Sequence, residues 1–353
     1  MNETITNPRL NYLLNLVNQS QGIKQSELLA LISPIYAVSR ATILRDLETL
    51  IKSGLITKQG QAQTTTYHPF GTASILNPFS LERYFADSAD KRAGVRKQFN
   101  TSIFSDLHDL VSKSDQTRIE NSKKTLSQIE KQLSPQIFKR ELERFCVELS
   151  WKSSEIEGNT YTLFETETLI KENKSATGKS QFETQMILNH KNAFDIMIEN
   201  RADFKDISLT TITQLHNLLV DKLDVPTGIR KDPVGITGTT YIPLDNEHQV
   251  REMLEKTIEL INQTKSPWEK ALIAITMIPY IQVFSDGNKR TGRMIGNAIL
   301  IAHDLFPISY RSVDKEIIKE ALIIFYEQNT ILPFKQIFID QLIFAHSTYF
   351  RTN

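Results

Sequence analysis

IQVFSDGNKRTGR, Ile281 to Arg293, packs a turn, a helix start and three cationic side chains into one short stretch. A loop that grips phosphate needs backbone N–H groups free to converge on it. Gly287-Asn288, set immediately before a helical pattern, supplies them together with the positive end of a helix dipole. Lys289 adds positive charge. Arg290 and Arg293 lie three apart in the first turns, so both can face one ligand with the guanidinium fork that suits phosphate oxygens. Asp286 would repel a bare phosphate, and its presence makes sense if it holds Mg²⁺, whose charge bridges carboxylate and phosphates. Basic residues at a helix start are common on solvated surfaces, so context matters. Ile281 and Phe284 are apolar anchors, and Met294, Ile295, Ala298 and Ile299 form one apolar face, which predicts a loop pinned to the core.

Outward from this loop the pattern is helical. From Arg140 onward it is punctuated by capping signals, Thr162 with Glu165 and Ser266-Pro267-Trp268-Glu269. One exception is PVGITGTTYIPL, Pro233 to Leu244, whose β-branched stretches around Thr237-Gly238 read as a hairpin projecting from a helical body. The 353 residues carry 41 basic and 41 acidic side chains, so no global field draws the chain to nucleic acid or to an anionic membrane, and any such binding must be local. The single cysteine, Cys146, shares a helical face with Leu142, Phe145 and Leu149 and reads as core. The start, MNETITNPRL, lacks a basic n-region, and the longest apolar run, Ala271 to Ile281, is too short to span a bilayer. A soluble, cytoplasmic protein without a membrane partner is expected.

The N-terminal 70 residues read differently. Leu10, Leu13, Leu14 and Val17 fall at helical spacing, and a second short helix fits Gln25 to Ile32. In VSRATILRDLETLIKSGLI, Val38 to Ile56, Ser39 is an N-cap, Ile43, Leu47, Leu50 and Ile51 form one face, and Gly54 ends the helix. TKQGQAQTTTYHP, Thr57 to Pro69, then reads as a small hairpin around Gly60. This order resembles the winged helix-turn-helix domains of bacterial regulators, with SRATILRDL at the recognition helix. The resemblance implies DNA binding through Arg40, Thr42 and Arg45, and a homodimer if two half-sites are read. The bland alternative is a winged helix used for protein contacts. Between this unit (1–70) and the helical body (140–353) lies a charged helical connector (71–139), with KSDQTRIENSKKTLSQIEKQ, Lys113 to Gln132, as an exposed helix in its most polar part.

Phe284, Asp286, Gly287, Asn288, Lys289, Arg290 and Arg293 match the signature His-x-Phe-x-Asp/Glu-Gly-Asn-Gly/Lys-Arg-x-x-Arg, and on them the body resembles a Fic domain. The fold implied is mainly α: an all-α Fic core with a β-hairpin flap, preceded by the winged helix and connector. Many Fic proteins transfer AMP from ATP to a protein hydroxyl. The resemblance implies ATP and Mg²⁺ as cofactors, with the metal on Asp286 and phosphates on Gly287, Asn288, Lys289, Arg290 and Arg293. Asp286, Asn288 and Arg290 then serve catalysis. The segment 233–244 resembles the flap, with Gly238, Thr239 and Tyr241 meeting a protein target by strand addition and Arg230 and Pro233 on its approach.

Where the family has its histidine this chain has Gln282, an amide that cannot take the hydroxyl proton, a role worth about 10²–10⁴-fold in rate. His68, in YHPFG, lacks the Gly-Asn-Gly/Lys-Arg that would follow and is a decoy on the wing. Tyr280 to Phe284 resembles a Tyr-x-Gln-Pro-Phe motif of winged-helix Fic proteins, and so does ETQMILNHKNAF, Glu183 to Phe194, where Asn189 and His190 are assigned packing or capping. In SSEIEGNTYT, Ser153 to Thr162, Glu155 and Glu157 sit at a helix C-terminus, where the dipole disfavours them, so each wants water or a cation. Ser153 to Gly158 resembles the inhibitory motif Ser/Thr-x-x-x-Glu-Gly/Asn of class-two Fic proteins, which implies that Glu157 pairs with Arg293 and blocks the γ-phosphate. Two functions follow: a protein adenylyltransferase held down by Glu157 and impaired or altered at Gln282, or a DNA-binding transcriptional regulator that keeps the core as a nucleotide-sensing or protein-binding module.

Overall fold

A computed structural model describes residues 7–20, 22–53, 55–69, 75–77, 79, 81–92, 94–122 and 126–349. Gly54, expected to end the third helix, lies outside them. Helices α1 (Pro8–Ser20), α2 (Gln25–Ile32) and α3 (Arg40–Lys52) pack with strands β1 (Ile23–Lys24), β2 (Ile56–Gln59) and β3 (Thr66–Pro69). Leu13, Val17, Leu28, Ile43, Leu47 and Tyr67 give this unit its own buried cluster. The Ser39 hydroxyl caps α3 by accepting the Thr42 N–H at 3.2 Å. Strands β2 and β3 pair antiparallel across a turn in which Gly60 takes a positive φ of 77°. The two-residue β1, unanticipated from sequence, adds to the other edge of β3 and gives the order β1-β3-β2.

The remaining helices are α4 (Leu81–Phe85), α5 (Lys113–Asn121), α6 (Leu126–Gln132), α7 (Pro135–Ile156), α8 (Leu163–Glu172), α9 (Gln181–Glu199), α10 (Leu209–Val220), α11 (Glu247–Gln263), α12 (Pro267–Ile281), α13 (Asn288–Ala302), α14 (Lys315–Gln328) and α15 (Leu332–Thr348). Helix α12 is buried all round. Helix α13 crosses it closely because glycine leaves room: a Cβ on Gly296 would lie 2.4 Å from Ile275 Cγ1, and one on Gly292 3.0 Å from the Ile275 carbonyl oxygen. That tight pair fixes the loop joining them.

Two expectations need correcting. The stretch Lys113 to Gln132 is not one exposed helix. It forms α5 and α6, and Ile119, Leu126 and Ile129 enter the main core alongside Ile103, Leu107 and Leu110. A few apolar residues at helical spacing suffice for a narrow buried stripe, and Asp115 adds an ion pair to Lys335 at 2.7 Å. The segment 233–244 does not close a hairpin ladder. It turns at Thr237-Gly238, and its only β-bridge among the described residues joins Ile242, in parallel, to Gln98 of the connector. Its polar groups are satisfied from outside: the Ile242 N–H donates to the Lys97 carbonyl at 2.8 Å, Arg92 donates to the Gly238 carbonyl, and Thr239 Oγ1 donates to Glu327 at 2.5 Å. Tyr241 is buried, stacked on Tyr280, with its hydroxyl on the Tyr280 carbonyl at 2.9 Å. Among the described residues no helix is long and apolar enough to cross a membrane.

Candidate functional site

The loop is shaped by its own side chains. Gly287 takes φ 81° and stands before α13 with no side-chain cap, so the first-turn N–H groups of α13 have no intrahelical acceptor. Asn288 Oδ1 accepts the Phe284 N–H at 2.8 Å, and Nδ2 donates to the Phe284 carbonyl at 2.7 Å and to Gln282 Oε1 at 3.1 Å. The Asn288 side chain therefore braces the loop, while its backbone opens the helix. Gln282 ends α12 in the left-handed region at φ 55°. Its Nε2 donates to the Pro279 carbonyl at 2.6 Å. Both ends of the amide are thus engaged, one by the last turn of α12 and the other by the first residue of α13.

The arginines separate in role. Arg290 is 2% exposed and spans Asp286 Oδ2 at 3.0 Å and the Leu219 carbonyl at 3.3 Å. Asp286 itself is 61% exposed at its side chain. Arg293, 1% exposed, donates from Nε to Ser153 Oγ at 3.1 Å, and from Nη2 to the Ser153 carbonyl at 3.0 Å and Glu157 Oε1 at 2.8 Å. Its Nη1 is buried without a partner. Glu157 caps the C-terminus of α7 and also pairs through Oε2 with Lys289 at 3.1 Å. Gly158 follows at φ 99°, which lets the chain leave the helix. Burial alone would push the Glu157 carboxyl up, but Arg293, Lys289 and Arg290 hold it down to about 2. Glu155, the other carboxylate of the motif, pairs with Lys152 at 2.7 Å.

One neighbour, His216, escaped sequence reading. The imidazole of His216 stacks on Phe284, centroids 3.6 Å apart and planes at 7°, and Nε2 donates to the Asp286 carbonyl at 3.0 Å. Burial lowers its pKa to about 4, so it is neutral, and being fully buried it cannot reach a substrate hydroxyl. His190 is also fully buried, with Nδ1 on the Met186 carbonyl at 2.8 Å, and burial lowers it to about 3 with Arg290 and Arg293 adding to the shift. Asn189 caps the end of α10 by donating to the Leu219 and Asp221 carbonyls. Arg230 ties the loop to segment 233–244, from Nε to the Gln282 carbonyl at 2.5 Å and from its guanidinium to the Asp232 and Leu244 carbonyls. A histidine set among leucines in LTTITQLHNLLV gives no local signal of any of this. His68 lies on β3 against Thr66 Oγ1 and takes no part. In the N-terminal unit, Arg40 and Arg45 are exposed on α3, whereas the Thr42 hydroxyl pairs with Ser39 at 3.0 Å.

Arg293's unpartnered buried N–H and the uncapped start of α13 fit a phosphate group. A Mg²⁺ ion accompanying it would find one exposed carboxylate, Asp286, which suits an ion held mainly by phosphates and water. Residues 206–300, spanning α10 to most of α13 and containing this loop, match the family described as Fic/DOC. Its curated relatives carry a narrower name. The protein adenylyltransferase Fic of Nematostella vectensis is 25% identical over 185 residues, covering 50% of this chain and 42% of that protein. A probable protein adenylyltransferase of Aquifex aeolicus is 29% identical over 119 residues, 31% of this chain and 35% of the other. The chain thus spans less than half the length of these curated relatives. Among solved structures, a fragment of Fic-1 from C. elegans superposes with a TM-score of 0.57 at 19% identity over 68% of this chain and 72% of that one. A Fic domain containing signaling protein from Bacteroides thetaiotaomicron gives 0.54 at 19% identity, 67% and 93%. These superpositions establish a Fic fold.

Proposed function

We propose that the loop 286–293 binds the triphosphate of ATP with Mg²⁺ and that the protein is a protein adenylyltransferase whose resting state is held down by Glu157. The observation that carries this reading is Arg293: buried, clamped by Glu157 and Ser153, and left with one unpartnered N–H. A carboxylate kept ionised beside that guanidinium competes with a phosphate for the same charge. Arg290 and Lys289 add positive field, the α13 N-terminus adds its dipole, and Asp286 would hold the metal, which neutralises developing charge on the transferring phosphates. A protein hydroxyl enters along the flap by strand addition. Gln282 supplies no base there, so turnover is slow. Gln282→His with Glu157→Gly, incubated with labelled ATP, Mg²⁺ and cell lysate, is expected to label itself or a partner well above the native protein. Absence of label in the native, single and double variants would end this reading.

The N-terminal unit supports a second reading. In this alternative reading the protein is a DNA-binding regulator: exposed Arg40 and Arg45 on the Ser39-capped helix α3 meet DNA, and a catalytically degenerate core serves as a nucleotide-sensing or protein-binding module. Binding to the DNA upstream of its own coding sequence, lost in Arg40→Ala/Arg45→Ala and weakening steeply with salt, is the expected result. A protein indifferent to that DNA at low salt has no such activity.

A further inference from the structure

The connector does more than join two units, because part of it meets segment 233–244 at a parallel β-bridge. Gln98 stands opposite Ile242 in a parallel bridge, and the Ile242 N–H donates to the Lys97 carbonyl at 2.8 Å. The next residue, Phe99, lies over the Tyr280 ring with centroids 4.6 Å apart and planes at 26°. The Asn100 N–H then donates to the Tyr280 hydroxyl at 2.9 Å. Upstream, a latch locks the arrangement. Arg92 and Glu327 pair at 2.8 Å with side chains 3% and 0% exposed, Arg92 also holds the Gly238 carbonyl, and Glu327 takes Thr239. Ile242 itself remains 61% exposed, a large apolar side chain beside a backbone edge that is only briefly covered.

We propose that the edge of segment 239–244 is a peptide-binding surface filled in cis by residues 96–100. The partner it takes when freed is an extended polypeptide segment running parallel to it, with an aromatic residue one position beyond the one facing Ile242. This rests on the reading of the flap as the place where a protein target enters. The backbone pairing is independent of side chains and supplies affinity, and the slot against Tyr280 filled by Phe99 supplies the preference. A tethered segment competes at an effective concentration on the order of millimolar. A partner therefore binds only weakly while the Arg92 latch is closed.

The test uses the full chain and no nucleotide, so it is independent of AMP transfer. Gln98→Cys with Ile242→Cys is expected to form a disulfide under mild oxidation, with both new thiols lost. Cys146, buried and with its thiol pushed up to about 12, stays free. The probe is a fluorescent peptide of the chain's own sequence VRKQFNT (Val95–Thr101), compared with the same peptide carrying Ala for Phe99. Phe99→Ala protein, whose cis segment has lost its ring, is expected to bind the peptide at least about tenfold more tightly than the native chain. Placed in the Phe99→Ala protein, the disulfide is expected to abolish peptide binding until it is reduced, and the peptide lacking the ring is expected to bind neither released form. Arg92→Met with Glu327→Gln removes both latch charges at near-constant volume and gives a second released form with the ring intact. No disulfide, equal binding by oxidised and reduced protein, or no binding to either released form overturns the proposal.

Discussion

The loop at Gly287 and the segment around Gly238 each turn on a glycine in the left-handed region, at φ 81° and 85°, yet they are held in opposite ways. The loop closes on itself: Asn288 returns to Phe284, Thr291 to Gly287 and Arg290 to Asp286, all four residues back. The segment closes on strangers: Gly238 meets Arg92, Thr239 meets Glu327 and Ile242 meets Lys97. Each region also keeps one buried Arg–Glu pair, Arg293–Glu157 and Arg92–Glu327. Short-range closure makes a shape that a motif can encode, whereas long-range closure makes one that depends on what the rest of the chain brings.

The two pairs offer the largest contrast. Removing one partner of a buried pair strands the other charge, at a cost of about 3–5 kcal/mol. Arg293→Ala and Arg92→Ala should each lower stability by that order in chemical denaturation. They should part on nucleotide. By calorimetry, Arg293→Ala is expected to weaken ATP binding about 10- to 100-fold, the worth of a hydrogen bond to a charged group, while Arg92→Ala leaves it unchanged. Equal losses in both would mean that the loop is not the phosphate site.

Acid should also divide the regions, since the two most strongly depressed imidazoles, His190 and His216, flank the loop. His190 and His216 have folded pKa values of about 3 and 4, below the ordinary 6.5. The unfolded chain therefore binds more protons, and the stability they contribute is complete above pH 6.5 and lost as pH falls towards 4 and 3. By pH 5 the loss is on the order of 2 kcal/mol for each imidazole. Glu157, held to about 2, stays ionised through this window, so the Arg293 clamp outlasts the imidazoles. Urea midpoints measured from pH 7 to 5 should fall for the native protein and fall less for His216→Phe, which keeps the stack on Phe284. Parallel curves would remove His216 from the account.

Glycine packing gives a smaller effect. A Cβ at Gly292 meets the Ile275 carbonyl at 3.0 Å and Pro279 Cδ at 3.1 Å, neither of which can swing away. Gly292→Ala should cost about 1–2 kcal/mol in thermal unfolding. Gly235, in segment 233–244, has nothing within 4 Å of its Cβ position. Gly235→Ala should be neutral or slightly stabilising through the unfolded chain.

The same difference in range governs what the sequence disclosed. The α3 cap at Ser39, the apolar anchors Ile281 and Phe284, and the face Met294, Ile295, Ala298 and Ile299 are local patterns, and each is found where periodicity put it. The Glu157–Arg293 contact spans 136 residues and was accessible only through a resemblance at Ser153 to Gly158. The stack of His216 on Phe284 had neither periodicity nor motif to mark it, and the resemblance that put Arg230 beside segment 233–244 gave no sign of its bond to the Gln282 carbonyl. Segment 233–244 reads as a hairpin and is none because β-branched residues around a glycine signal extension and a turn, but not which part of the chain completes the pairing.

Tyr241→Phe isolates the weakest link in that second region. The ring stacks on Tyr280 at 5.0 Å and would survive the change, so only the hydroxyl's bond to the Tyr280 carbonyl is lost. A single neutral hydrogen bond is worth about 1 kcal/mol. The Tyr280 hydroxyl keeps the Asn100 N–H and Asn329, so the connector stays anchored to α12. Hydrogen exchange should then show modestly faster exchange across 239–244 and none in the first turn of α13. If α13 also loosened, Tyr280 would be transmitting strain along α12 into Gln282, and the two regions would have to be treated as one cooperative unit.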